Sequence, residues 1–94
     1  MTESPATPTV FIDNDVVRVT EWRFASGTAT GHHRHEFDYV VVPMTTGKLL
    51  IRDSEGERAF DLTTGAPYFR KAGVEHNVIN PTDNEVVFIE IESK

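Results

Sequence analysis

Short apolar runs alternate with clusters of turn-forming residues from residue 10 to the end of the chain. The runs are rich in valine, isoleucine, tyrosine and phenylalanine, and their apolar positions do not follow a helical repeat. Glycine, asparagine, aspartate, threonine and proline fill the gaps, as they do in turns. The pattern predicts eight strands, at 10–12, 16–24, 39–43, 48–52, 58–62, 68–70, 74–80 and 86–92.

Strands of this length and spacing are typical of an all-β sandwich or barrel. Residues 1–9 are polar and hold two of the five prolines, so they are predicted to form a flexible tail before a single domain at 10–94. The last strand carries Val87, Ile89 and Ile91 on one parity and Phe88 on the other, which reads as apolar on both faces. A second copy of the chain would cover the outer face, so a homodimer is expected.

Composition narrows the class of protein. A chain of 94 residues buries only about 60–65% of its unfolded surface, so a bound metal or a partner would add needed stability. There is no cysteine, which excludes disulfides and thiolate ligands. A net charge of −6 argues against nucleic acid and anionic membranes as partners. No long apolar run or signal-peptide pattern is present, so a cytoplasmic location is expected.

Three histidines are candidate metal ligands. His33 and His35 are spaced i, i+2, and on a strand such residues point to the same face. His76 lies some forty residues later and can join them only if the chain folds back. Neutral imidazole is the commonest protein ligand for divalent transition metals. His32 breaks the parity of the pair and is expected to point away from it.

The histidines lie within two spaced motifs. The first comprises Gly27, His33, His35 and Gly47. The second comprises Gly65, Lys71, Gly73, His76 and Asn80. Together they resemble the two motifs of the cupins, except that Lys71 stands where that family usually has proline. The chain is similar to small single-domain bacterial cupins, some of which are called β-alanine degradation proteins.

The resemblance implies an RmlC-like cupin, an all-β double-stranded β-helix (jelly-roll) barrel, with a metal held by His33, His35 and His76. Cupins usually add a glutamate ligand three or four residues after the second histidine, where this chain has Tyr39 and Val40. The implied three-histidine site is similar to that of iron cupins such as the thiol dioxygenases. The metal could be Fe, Ni, Zn, Mn or Cu, and Fe(II) is favoured for activity.

The pocket candidates are Tyr39 and Arg70. Tyr39 shares the parity of His33 and His35, and it could be a packed aromatic, a pocket hydroxyl or a direct ligand. Arg70 could bind a substrate carboxylate or lie on the solvated surface. The resemblance to the iron cupins implies a metal-dependent oxygenase acting on a small acid, thiol or dicarbonyl. The alternative is a cupin that binds a small ligand or a metal without turnover, as a sensor or accessory protein.

Overall fold

A computed structural model, which describes residues 3–94, contains nine strands that pair antiparallel in two sheets. The strands are β1 (Thr7–Asp13), β2 (Val17–Phe24), β3 (His33–Arg34), β4 (Asp38–Pro43), β5 (Gly47–Asp53), β6 (Gly56–Leu62), β7 (Tyr68–Arg70), β8 (Glu75–Ile79) and β9 (Val86–Ser93). The five-stranded sheet has the order β1-β2-β9-β4-β7, and the four-stranded sheet has the order β3-β8-β5-β6. Non-consecutive neighbours dominate both sheets, so each sheet joins distant parts of the chain.

The prediction of an all-β chain is confirmed. Each of the eight predicted strands is present, with ends shifted by a few residues, and β3 is an additional short strand. Residues 3–94 form no helix, and thus none that could cross a membrane.

The N-terminal segment differs from the predicted tail over 1–9. Strand β1 begins at Thr7, three residues before the predicted start, and Ala6 is buried. The Ala6 N–H donates to the Ala29 carbonyl at 2.8 Å, and the Ala29 N–H donates to the Ser4 carbonyl at 2.9 Å. Proline is tolerated in β1 because this strand lies at a sheet edge. Residues 1 and 2 lie outside the described part of the chain.

The inner face of the five-stranded sheet changes from apolar to charged along the strands. At the apolar end, the ring centroids of Phe24 and Phe88 lie 5.4 Å apart. Phe24 pairs with Val86 at this end, and three rows follow along the strands. In order across the sheet they are Trp22, Phe88 and Pro43; Thr20, Glu90, Val41 and Tyr68; and Arg18, Glu92, Tyr39 and Arg70. The charged end of this face lies beside the candidate histidines.

The interpretation of β9 as apolar on both faces is wrong. Glu90 and Glu92 share the parity of Phe88, and both are buried, at 8% and 5% exposure. Alternation separates the two faces of a strand but does not say which one meets the core. The opposite face of the sheet carries an outer apolar row in register across all five strands, namely Ile12, Val19, Ile91, Val40 and Phe69.

Candidate metal centre

Strand pairing brings the first and third histidines together. His33 on β3 and His76 on β8 are direct cross-strand partners. Directly opposed residues of an antiparallel pair have Cβ atoms about 4.5–5.5 Å apart, so both imidazoles reach the same point.

His35 follows β3 and is held by the turn that precedes β8. The backbone N–H of His35 donates to the Val74 carbonyl at 2.9 Å, and the backbone carbonyl of His35 accepts from the Gly73 N–H at 2.8 Å. Gly73 has φ +95°, a value that residues with a Cβ rarely adopt. This glycine therefore lets the turn both anchor His35 and lead into the strand that carries His76.

The three imidazoles converge on one point and form the three-histidine cluster. The Nε2 atom of His35 lies 3.0 Å from Nε2 of His33 and 3.3 Å from Nε2 of His76. One potential ligand atom from each residue lies within 4.8 Å of the other two. Nitrogens bound at about 2.1 Å to one ion stand about 3.0 Å apart at octahedral angles and about 3.4 Å apart at tetrahedral angles.

The hydrogen bonds of His33 leave its Nε2 free to bind an ion. Its Nδ1 lies 2.9 Å from the Gly31 carbonyl oxygen, which can only accept a hydrogen bond. In the neutral ring Nδ1 therefore carries the proton, and Nε2 presents a lone pair to the cluster. The Thr30 hydroxyl, 3.2 Å from the same Nδ1, adds a second polar neighbour. Such outer hydrogen bonds fix the tautomer and orientation of metal-binding histidines.

Burial keeps two of the imidazoles neutral. It lowers the pKa of His35 to about 4, with a further contribution from the adjacent His33. Burial likewise lowers the pKa of His76 to about 3, with contributions from both other imidazoles. Neutral imidazole is the form that binds metal, so these two groups are poised as ligands at neutral pH. The exposed His32 lies apart, 3.4 Å from Glu75, as its parity predicts.

Tyr39 lies beside the three-histidine cluster. Its ring stacks on that of His35, with centroids 3.9 Å apart and planes at 20°. The residue is 3% exposed and lines the interior cavity, and burial raises the pKa of its hydroxyl. The neutral phenol is thus the form present near neutral pH. Tyr39 thus lies on the side of its strand that parity predicts, while its role stays a prediction.

Arg70 faces a cavity of about 170 Å³ inside the barrel. Its guanidinium lies over the rings of Tyr68 and Phe60, with its central carbon 4.6 Å and 5.2 Å from the two centroids. One of its nitrogens donates to the Phe69 carbonyl at 2.9 Å. Burial raises the pKa of the Tyr68 hydroxyl to about 12, so this phenol stays neutral beside the guanidinium. His33, His76, Tyr39, Glu90, Thr30 and Arg58 also line the cavity, and Arg58 binds Asp53 at 2.8 Å.

Two acidic residues of β9 also lie at the site, although neither motif contains them. Glu90 and Glu92 form a second group with His35, in which the three ligand atoms lie within 4.8 Å of one another. Arg18 binds Glu92 through two hydrogen bonds of 2.9 and 3.0 Å. Burial, together with the charge of Glu92, raises the pKa of Glu90 to about 7. Acidic residues at i, i+2 in an otherwise apolar strand were the available signal.

Known proteins resemble this chain along its whole length. The β-alanine degradation protein BauB of Pseudomonas aeruginosa is 62% identical over 89 residues, which cover 95% of this chain and 94% of BauB. A cupin domain of Bordetella pertussis, known from a crystal structure, is 61% identical with a TM-score of 0.97, over 100% of this chain and 98% of that domain. No protein-family model matches the chain.

More distant structures share only the fold. A double-stranded β-helix protein of Klebsiella pneumoniae has a TM-score of 0.79 at 16% identity, over 99% of this chain and 80% of that one. A cupin superfamily protein of Desulfitobacterium hafniense has a TM-score of 0.73 at 16% identity, over 99% and 81% of the two chains. The predicted jelly-roll barrel is therefore confirmed.

Proposed function

Because the chain belongs to the cupin family, we propose that it binds one divalent transition metal ion through His33, His35 and His76. The observation that carries this proposal is the spacing of the three Nε2 atoms, at 3.0 and 3.3 Å along two sides. These separations suit ligands that share one ion. The Nδ1 proton of His33, donated to the Gly31 carbonyl, leaves the Nε2 lone pair aimed at the same point.

The ligand set suggests the chemistry. Three neutral imidazoles leave a divalent ion with its full charge and with open coordination positions, so it would act as a Lewis acid and, as Fe(II), support oxygenase chemistry. We therefore propose a metal-dependent oxygenase that acts on a small acid, thiol or dicarbonyl. The alternative proposal is a cupin that binds a small ligand or the metal without turnover.

The cavity suits a small substrate. Its volume of about 170 Å³ lies below the roughly 300–1,000 Å³ of pockets for drug-sized ligands. Among residues 3–94, no carboxylate lies within 4.0 Å of Arg70, so its guanidinium can receive a substrate carboxylate. Stacking over Tyr68 fixes the direction of that charge. The Tyr39 hydroxyl could donate a hydrogen bond to a substrate oxygen from the neighbouring position.

The name of BauB mentions a compound but does not specify a reaction. It associates that protein with the degradation of β-alanine, a small amino acid. A small carboxylic acid related to β-alanine is accordingly one candidate ligand for this chain. Arg70 is the group that would receive its carboxylate.

Metal binding is tested on protein purified without an affinity tag and stripped with a chelator. Calorimetric titration with Ni²⁺ or Zn²⁺ at pH 7.5 should give one site per chain. At about 1,000 times the dissociation constant the ion should add about 4 kcal/mol to the free energy of unfolding. His76→Ala should abolish both effects. His32→Ala is the matched control and should keep them, because that side chain is 63% exposed and outside the cluster.

Two results separate the proposals. Failure of the wild-type protein to bind a divalent ion, or equal binding by the His76→Ala variant, overturns the metal proposal. Oxygen uptake by the Fe(II)-loaded protein with a panel of small acids, thiols and dicarbonyls would support the oxygenase. Tight metal and ligand binding with no uptake across that panel would favour the non-catalytic alternative.

A further inference from the structure

We propose that Glu90 is a cation-binding subsite that pairs with the ammonium group of a small amine bound in the barrel cavity. This inference deepens the proposed function and rests on it, since the same molecule would reach the metal or Arg70 with an oxygen donor. It assigns the substrate class as small molecules that carry both an amine and an anionic oxygen group.

The position of Glu90 supports the subsite. The residue lies at the middle of the inner face, between Thr20 on β2 and Val41 on β4. Only 8% of its surface is exposed, yet it lines the cavity that also reaches His33 and His76. A bound molecule can therefore touch the carboxylate of Glu90 and the three-histidine cluster at once.

Glu90 has no counter-charge of its own. Within residues 3–94, no nitrogen of a lysine, arginine or histidine lies within 4.0 Å of its carboxylate. Arg18, the nearest candidate in register, uses its guanidinium on Glu92, at 2.9 and 3.0 Å. A ring nitrogen of His35 lies within 4.8 Å of Glu90, beyond the 4.0 Å limit for an ion pair. The carboxylate thus stands beside the metal ligands without binding any of them.

A buried carboxylate without an ion-pair partner is costly, because the charge loses solvation that an adjacent opposite charge would restore. Burial and the nearby Glu92 raise the pKa of Glu90 to about 7, while Arg18 and a hydrogen bond from Trp22 oppose this shift. An ammonium group in the cavity would supply the missing charge and make the ionised carboxylate favourable. Groups held in such costly states are characteristic of functional sites.

Arg70 places a positive charge on the other side of the cavity. Arg70 lies two strands away from Glu90 across the sheet and two residues further along the strand direction. At usual strand spacings this separates the two Cα atoms by about 12 Å. The two side chains extend into the same cavity and shorten this gap. A positive and a negative wall in one small cavity match a molecule with an ammonium at one end and a carboxylate at the other.

The test uses the Zn²⁺-loaded full chain and compares 4-aminobutanoate with pentanoate, in which a methyl group replaces the ammonium. Binding is followed by NMR titration at pH 7.5. The wild-type protein should prefer 4-aminobutanoate by about 10-fold or more. Glu90→Gln keeps the size and shape of the side chain and removes its charge. It should abolish that preference while leaving pentanoate and Zn²⁺ binding unchanged.

Glu21→Gln is the matched control, since it removes the same charge from the outer face of the sheet. Glu21 lies on β2, where it pairs with Ile89. It should preserve the preference for the amine. Equal binding of the two probes by the wild-type protein, no detectable binding of either, or an equal loss of both in Glu90→Gln overturns the subsite. Absence of Zn²⁺ binding by the wild-type protein instead overturns the proposed function, and the subsite with it. If Glu90→Gln unfolds at a higher urea concentration than the wild-type protein, that result would independently support an unpaired charge on Glu90.

Discussion

Acidification of the metal-free protein tests the electrostatics of the site. The pKa values of His35 and His76 are about 4 and about 3 in the folded state, against 6.5 for an ordinary histidine. Below pH 6.5 the unfolded chain therefore binds protons that the folded protein refuses, and stability falls as pH falls. Glu90 acts in the opposite direction. Its folded pKa of about 7 lies above the usual 4.5, so the folded state holds an extra proton between those values and this group favours folding as pH falls.

The net effect follows from counting protons between pH 6.5 and 4.5. A difference of one bound proton between the folded and unfolded states changes the free energy of unfolding by about 1.36 kcal/mol per pH unit. Across the window the two histidines therefore lower it by at most about 5 kcal/mol, and Glu90 raises it by about half of that amount. Solvent in the cavity and the partial exposure of His76 screen these charges, so we halve both contributions. The free energy of unfolding should then fall by about 1–2 kcal/mol in net terms. Glu90→Gln removes the opposing contribution, so its loss should reach about 2–3 kcal/mol.

The assay is urea unfolding followed by fluorescence of Trp22, in chelator, at intervals from pH 7.5 to 4.5. The window lies above the range in which Asp13 and Asp53 lose stability, because hydrogen bonds to Lys94 and Arg58 lower the pKa of these carboxyls below 3.8. A profile that is flat or rises toward pH 4.5 would refute the buried neutral histidines. Equal slopes for the wild-type protein and Glu90→Gln would refute the opposing role of Glu90.

Three further predictions concern the pocket, the core and the assembly. Tyr39→Phe should keep metal content and stability while lowering turnover by about 10- to 100-fold, and unchanged turnover of the same preparation would exclude a pocket role for the hydroxyl. Asn80 is fully buried, and its side-chain amide donates to the Phe24 carbonyl at 3.1 Å. Asn80→Ala should therefore lower the free energy of unfolding by about 2–4 kcal/mol. A loss below about 1 kcal/mol in a urea titration would contradict this. We propose a homodimer through the outer apolar row, so Ile91→Asp should shift sedimentation toward the 10.6 kDa monomer, whereas a wild-type monomer at micromolar concentration would refute the dimer.

The sequence by itself determined the strands and the candidate ligands. Period-two alternation and turn residues located eight of the nine strands, because a strand that separates a core from solvent must alternate. The spacing of the two motifs named His33, His35 and His76, and parity placed Tyr39 beside them. These features are local, or depend on separations that a motif records directly.

Only the tertiary structure decided which faces turn inward and which distant residues meet. The register of β3 against β8 sets His33 opposite His76, and no local pattern specifies the pairing of strands forty residues apart. The sequence pattern of β9 has two usable faces. The fold buries the one with Glu90 and Glu92 because Phe88, on the same face, joins the core with Leu49 and Leu62 of the four-stranded sheet. That choice places an unpaired carboxylate beside the histidines, a result of packing between sheets that alternation along one strand cannot reveal.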